Sequence, residues 1–196
     1  MKAVLMSIQP KWCELIASGK KTVEVRKTKP KIKTPFKVYI YMTAGDASYP
    51  VKIDGFPMIC HNNGGRCVIG EFVCDEIYNY TASPSVSEHI KSQCTISDED
   101  MIKQSYMTLD ELYYYESHPD SHNWGLLAWH ISNLIIYDKP KELSEFYREC
   151  EKNECEDCPY LHFENTPNSY EGWCTVDEKI PLKRPPQSWC YVEEVR

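Results

Sequence analysis

A short polar series near the N-terminus combines three kinds of side chain that could bind or transform a ligand together. Lys21, Glu24 and Arg26 lie within six residues of one another. Glu24 and Arg26 are two positions apart, so on a strand both side chains project from the same face. The set offers an ammonium group, a carboxylate that accepts hydrogen bonds and a planar guanidinium that donates them. These groups suit a phosphate or the polar edge of a base, although a solvent-exposed strand face with a few lysines has the same composition.

The preceding residues predict a helix that ends just before this series. Pro10 favours the first turn of a helix, and apolar residues recur at helical spacing at Ile8, Trp12, Leu15 and Ile16. Gly19 follows the last of them and can take the left-handed conformation that ends a helix. The period then changes to two, with Val23 and Val25 on one face and the polar residues on the other, which predicts a strand.

Four of these residues carry a resemblance to a known family. Gly19, Lys21, Glu24 and Arg26 reproduce the G-x-K-x-x-E-x-R signature of the ASCH domain, a member of the PUA-like superfamily, and SIQPKWCELI resembles the usual beginning of that domain. The resemblance covers residues 4–43 and, more loosely, 66–78 and 124–146. It implies an α+β fold, a small mixed β-barrel with flanking helices, whose cleft is lined by the motif.

The resemblance also implies a role in binding RNA or a modified nucleotide or nucleoside. The residues expected to contact such a ligand are Lys21, Thr22, Glu24, Arg26 and Trp12. In this hypothesis Arg26 and Lys21 bind phosphate or a base edge, and Glu24 accepts a hydrogen bond from an exocyclic amine.

Two enzymatic functions are the alternatives to binding, with Lys21 and Glu24 as the predicted catalytic residues. One branch of the ASCH group hydrolyses the N4-acyl group of modified cytidine with a lysine, a threonine and a glutamate. Lys21 matches that lysine, but Glu24 occupies the register position of the threonine nucleophile, and Thr22 lies two residues away. The other alternative is metal-independent RNA cleavage with Lys21 and Glu24 as acid and base. Binding is the preferred hypothesis.

The composition is typical of a globular protein that is not embedded in a membrane. Of 196 residues, 42% are hydrophobic and 26% are charged, enough for one sizeable domain or one domain with an appended module. No apolar run approaches the roughly 18 residues that span a bilayer. The N-terminus lacks an apolar stretch followed by a cleavage site of small residues. We therefore expect a cytoplasmic location and no membrane partner, and the sequence does not indicate an oligomeric state.

The net charge of −7 conceals a basic N-terminal part. Residues 1–37 contain ten Lys or Arg against two Glu, and the remainder contains 12 basic against 27 acidic residues. An acidic protein does not bind nucleic acid indiscriminately, but a local basic patch beside a cleft is compatible with a phosphate backbone. The alternative is that this stretch is a solvated connection between strands.

Later segments predict further strands and two helices. Alternating or apolar runs predict strands at 4–6, 38–42, 67–77 and the C-terminal end, and two strands within 124–137. Ser97 before Asp100 and Thr108 before Glu111 are capping-box arrangements, which predict helix starts. The residues expected to face the core from these helices are Met101, Ile102, Tyr106, Leu109, Leu112, Tyr113 and Tyr115.

Four of the ten cysteines have the spacing of a metal site, C-x4-C-x2-C-x15-C: Cys150, Cys155, Cys158 and Cys174. A C-x-x-C knuckle lets two thiolates bind one ion, and a distant cysteine can complete a tetrahedron, with His162 as a substitute ligand. The segment has too few aliphatic residues for a core of its own, so a structural zinc ion would stabilise it. Free thiols, an iron–sulfur cluster and a disulfide are the alternatives.

These features divide the chain into three parts. We predict a barrel core at 1–149, a Cys-rich, zinc-stabilised insertion at 150–178 and a final strand that returns to the barrel at 179–196.

Overall fold

The chain is described from a computed structural model. The structure describes residues 1–44, 66–85, 87–116, 125–149, 161–163, 172–174 and 179–195, with the backbone alone for 161–163 and 172–174.

The largest sheet has five strands in the order β12, β1, β3, β4 and β7. Its members are β1 (Lys2–Ile8), β3 (Phe36–Met42), β4 (Cys67–Cys74), β7 (Ser132–Lys141) and β12 (Trp189–Glu193). Strands β1 and β3 are parallel, and the other neighbours are antiparallel. A parallel pair needs a long crossover, and here the crossover contains helix α1 (Pro10–Ala17) and strand β2 (Val23–Arg26).

A three-stranded sheet contains the motif strand. Its order is β2, β6 (Leu126–His130) and β5 (Ile77–Tyr80), all antiparallel. Strand β4 continues towards β5 through Asp75 and Glu76, and β6 continues into β7 through Ile131. The His130 N–H donates to the Glu76 carbonyl at 3.0 Å, so the two segments that link the sheets lie side by side.

The described strands do not form the closed barrel that the resemblance implies. Closure requires the edge strands to be hydrogen-bonded to each other. In the part of the chain that the structure describes, β12 and β7 are the edges of one sheet, β2 and β5 are the edges of the other, and no ladder joins these edges. Strand β2 has only four residues, and it pairs with β6 along its whole length. The α+β class with mixed sheets is confirmed, and a closed barrel is not found among the described strands.

Two short strand pairs lie beyond these sheets. Strand β8 (Tyr147–Glu149) pairs with β11 (Lys179–Pro181), and β9 (Leu161–Phe163) pairs with β10 (Gly172–Cys174). The pairing of β8 with β11 brings together the two ends of the predicted insertion. The three-part division of the chain stays a prediction.

Three further α-helices and a short 3₁₀-helix complete the described elements. They are α2 (Glu88–Lys91), α3 (Asp98–Ser105), α4 (Leu109–Glu116) and the 3₁₀-helix (Leu143–Glu145). The Ser97 hydroxyl accepts from the Asp100 N–H at 3.1 Å, and the Thr108 hydroxyl accepts from the Glu111 N–H at 3.2 Å. Both predicted caps are therefore confirmed. Among the described residues, no helix has the length and apolar character needed to cross a bilayer.

Helices α3 and α4 bury fewer residues than the sequence predicts. Met101 and Leu112 are fully buried, but the surface contains Ile102, Tyr106, Leu109 and Tyr113. The prediction that these four face the core is wrong. Each helix has eight residues, so only a narrow stripe of it can face the sheet.

The core lies on both sides of each sheet. One face of the five-stranded sheet contributes Val4, Met6 and Val38 to a cluster that also contains Trp129 of β6. The opposite face packs against Phe146 and Leu182. Val23 and Val25 of the motif strand pack instead against α3 and α4. The alternation along β2 therefore points Glu24, the register partner of Trp129, to the face of Trp129 and the first cluster.

Candidate ligand-binding site

The end of helix α1 places Lys21 inside the protein. Gly19 has φ +70°, the left-handed conformation expected after a helix, and the backbone N–H groups of Lys20 and Lys21 both donate to the Leu15 carbonyl at 2.9 Å. This tight turn directs the Lys21 side chain inward, where its ammonium lies 4.8 Å from the centre of the Trp12 ring. A cation over an indole face is attracted by the ring quadrupole.

The Lys21 ammonium has two polar partners. It donates to the Ser105 carbonyl at 2.6 Å and lies 3.5 Å from Glu24 Oε2. Ser105 is the last residue of α3, so the ammonium meets the negative end of that helix dipole. Burial lowers the pKa of Lys21, and the attraction of Glu24 opposes this shift only in part. The protonated amine is therefore held in place at an electrostatic cost.

Glu24 lies between two cations. Its Oε1 is 3.1 Å from Arg26 Nη2, which also donates to the Ser7 carbonyl of β1 at 2.7 Å. Lys21, Glu24 and Arg26 are only 2%, 5% and 9% exposed. The three side chains therefore form a buried network of two positive charges and one negative charge. A solvent-exposed strand face, the alternative from the sequence, is wrong.

Three buried polar atoms at this site lack hydrogen-bond partners in the part of the chain that the structure describes: Glu24 Oε2, Arg26 Nε and Trp129 Nε1. The 3.5 Å separation of Glu24 Oε2 from Lys21 is an ion-pair contact without hydrogen-bond geometry. Buried polar groups are nearly always hydrogen-bonded, and leaving one unpaired costs about 1–3 kcal/mol. The described residues therefore leave one acceptor, Glu24 Oε2, and one donor, Arg26 Nε, unpaired inside the network.

Four contributors to the site were not predicted as site residues: Ser7, Ser105, Tyr115 and Trp129. Burial raises the pKa of Tyr115, and the nearby Arg26 guanidinium opposes this rise. Ser7 could have been noticed, because it is the one polar residue between apolar neighbours in LMSI. The sequence around Ser105, Tyr115 and Trp129 does not mark them as site residues, because they meet the motif only through contacts between distant parts of the chain.

Thr22 is held by its backbone. Its N–H donates to the Gln104 carbonyl at 3.0 Å, and its carbonyl accepts from the Ile131 N–H at 2.9 Å. It thereby ties the start of β2 to α3 and to the link between the two sheets. The structure brings together four of the five predicted contact residues, Trp12, Lys21, Glu24 and Arg26, and places the fifth at the start of their strand.

The predicted metal ligands lie outside the residues whose side chains are described. Cys150, Cys155 and Cys158 are not among the described residues, and Cys174 and His162 are described by backbone alone, in β10 and β9. Within the described ranges, no group of three or more His, Cys, Asp or Glu side chains could hold a metal ion. The zinc site therefore stays a prediction.

Comparisons with known proteins give the family of the chain. The structure is similar to that of an ASCH protein from Zymomonas mobilis, at 18% identity and a TM-score of 0.46, over 72% of this chain and 73% of that one. Two mutants of that protein match over 73% and 72% of this chain and 77% and 74% of theirs, at 17% and 18% identity and TM-scores of 0.40 and 0.39. No curated protein matches the chain. The ASCH domain model matches residues 6–176, and the chain belongs to the ASCH domain family.

Proposed function

We propose that this protein binds RNA and holds one nucleotide in the cleft of Lys21, Glu24 and Arg26. ASCH domains are generally RNA-binding. The observation that carries the proposal is the buried charged network with its unpaired polar atoms. A nucleotide supplies donors, acceptors and negative charge in one molecule.

The unpaired atoms match the polar edge of a base. Glu24 Oε2 can accept from an exocyclic amine, and Arg26 Nε can donate to a neighbouring ring nitrogen or carbonyl. The network itself carries a net charge of +1 when Lys21 is protonated, which favours a phosphate close by. Trp12, already in contact with the Lys21 ammonium, adds an aromatic surface.

The two hydrolytic alternatives have less support. Acyl hydrolysis needs a hydroxyl nucleophile at the position that Glu24 occupies. The Lys21 ammonium donates to a backbone carbonyl, which holds it as a fixed cation and not as a base facing a hydroxyl.

The test compares RNA binding by the wild-type protein and by Arg26→Lys, which keeps the charge but removes Nε and the planar fork. We expect the variant to bind a labelled single-stranded RNA about tenfold more weakly by fluorescence anisotropy, since a charged hydrogen bond contributes about 1.5–3 kcal/mol. Lys20→Gln, at the exposed lysine beside the cleft, is the control for a simple loss of charge. Circular dichroism checks that each variant is folded.

Two results would contradict the proposal. One is a wild-type protein that binds no RNA, and the other is an Arg26→Lys variant that binds as tightly as the wild type. Mass spectrometry of RNA and of N4-acetylcytidine after incubation with the protein would detect cleavage or deacylation, and such a product would favour an enzyme.

A further inference from the structure

A concavity lies beside the motif strand β2, at one end of the three-stranded sheet. It has a volume of about 730 Å³, in the range of ligand pockets. Lys27 and Lys29, from the segment after β2, line it together with Asn79 of β5 and Gln93 after α2, and Tyr80 and Leu126 are its buried apolar members. We call this concavity the basic groove.

The basic groove begins next to the network of Lys21, Glu24 and Arg26. Lys27 directly follows Arg26, and the Lys27 ammonium lies 5.0 Å from the centre of the Tyr115 ring. Arg26 is in turn close enough to Tyr115 to oppose the rise that burial gives to the pKa of that tyrosine. Tyr115 thus lies close to both Arg26 and Lys27, so the groove adjoins the network at the end of β2.

The lysine-rich segment after β2, residues 27–33, is hydrogen-bonded to the C-terminal strand β12. The Trp189 indole N–H donates to the Thr28 hydroxyl at 3.0 Å, and the Lys31 backbone N–H donates to the Tyr191 hydroxyl at 2.6 Å. These bonds lie on either side of Lys29. They fix the backbone that carries the lysines, so binding an anion requires less ordering of the chain.

The charges select an anionic occupant. Residues 26–33 contain five basic residues and no acidic one, whereas residues 38–196 contain 12 basic against 27 acidic residues. Lysine ammonium groups bind phosphates, and the exposed amides of Asn79 and Gln93 can bond to ribose hydroxyls. An acidic peptide would satisfy the lysines equally well, but nothing would then connect it to the cleft.

We propose that the basic groove binds the ribose–phosphate backbone of the nucleotides adjacent to the one in the motif cleft, so that the protein grips a strand and not an isolated nucleotide. This inference rests on the proposed function. It adds a second subsite with its own residues and its own dependence on RNA length.

The test uses the full chain and two double variants with equal loss of charge. Lys27→Gln/Lys29→Gln removes the groove lysines, and Lys31→Gln/Lys33→Gln removes two lysines of the same segment that do not line the groove. Affinity is measured for a mononucleotide and for a hexanucleotide between about 50 and about 200 mM salt. Each lost phosphate contact lowers the salt slope of single-strand binding by about 0.7.

We expect the groove variant to lose about 1.4 of the hexanucleotide salt slope, to bind that RNA more weakly than the control variant does, and to keep its mononucleotide affinity. Equal hexanucleotide slopes in the two double variants would overturn the inference and leave the cleft proposal intact. Displacement of the hexanucleotide by polyglutamate as readily as by unlabelled RNA would also overturn it, in favour of an acidic peptide. If the mononucleotide fails to bind the wild type, the cleft proposal fails, while the hexanucleotide comparison still decides the groove.

Discussion

The buried network predicts that Glu24→Gln strongly destabilises the protein. Glutamine keeps the shape of the side chain but removes the one negative charge between Lys21 and Arg26. At the observed separations of 3.5 and 3.1 Å, each attraction is about 5 kcal/mol with an effective dielectric constant of about 20. Removing one member of a buried ion pair typically costs about 3–5 kcal/mol, because a charge is left buried without a partner. We expect a loss of about 3–5 kcal/mol in the free energy of unfolding.

Urea denaturation followed by tryptophan fluorescence measures this loss. The matched control is Glu149→Gln, which breaks an ion pair with Lys2 whose side chains are more than half exposed. Exposed pairs contribute about 0–1 kcal/mol, so the control should unfold almost as the wild type does. A double-mutant cycle adds Lys21→Met, which removes one of the two cations.

The cycle separates the charge argument from a general packing defect. In the Lys21→Met background only Arg26 loses its partner, so Glu24→Gln should cost less, with a coupling energy of about 1–3 kcal/mol. A cost for Glu24→Gln as small as that of Glu149→Gln would refute the buried network. An unchanged cost in the Lys21→Met background would refute the pairing of Glu24 with Lys21.

Four further predictions concern other groups. Burial lowers the pKa of Lys21 below its usual 10.5, so the unfolded chain holds this proton at pH values where the folded protein has released it. The free energy of unfolding of the wild type relative to Lys21→Met should therefore rise with pH between the lowered pKa and about 10.5. A flat or falling difference in urea titrations would contradict this. Glu116→Ala should lower the free energy of unfolding by about 3 kcal/mol. The reason is that the buried carboxylate accepts hydrogen bonds from the Thr81 hydroxyl and from the backbone N–H groups of Ala82 and Ser83, at 2.7, 2.7 and 3.1 Å. A loss below about 1 kcal/mol in thermal or urea unfolding would contradict these bonds. Among the described cysteines, iodoacetamide should modify the partly exposed Cys94 first, because burial raises the pKa of Cys74 to about 12 and of Cys190 to about 11. Peptide mapping that finds Cys74 or Cys190 modified earlier would contradict this. Elemental analysis should find about one zinc ion per chain, held by Cys150, Cys155, Cys158 and Cys174, and a folded metal-free preparation would remove that prediction.

Local signals in the sequence predicted the elements that carry the site. Pro10 and Gly19 marked the two ends of helix α1, and the structure places them at its first residue and just beyond its last turn. The capping residues of α3 and α4 were found for the same reason: a cap is a contact between residues three positions apart. The pattern around the motif strand also gave the correct two faces, although not which neighbours would cover them.

The sequence could not predict what depends on distant contacts. The charged residues Glu24 and Arg26 give their face of β2 the composition of an exposed surface. In the structure this face is buried, because Ser7 and Trp129, from other strands, lie against it. Barrel closure was expected from the resemblance alone, and the pairing of strand edges cannot be read from composition or period. Ile102 and Leu109 fit the helical period but are exposed, because the period does not tell how wide a stripe the sheet covers.

The same distant contacts connect the C-terminal segment to both halves of the proposed RNA site. The Ser7 N–H donates to the Ser188 carbonyl at 2.9 Å, and the Ser7 hydroxyl donates to the Pro186 carbonyl at 2.7 Å, while the Ser7 carbonyl accepts from Arg26. One residue therefore joins the segment before β12 to the cleft, and Trp189 joins β12 itself to the basic groove through Thr28. This C-terminal segment follows the cysteine-rich residues 150–178 in the chain. A change in those residues that displaced the C-terminal segment would therefore alter the motif site and the groove together.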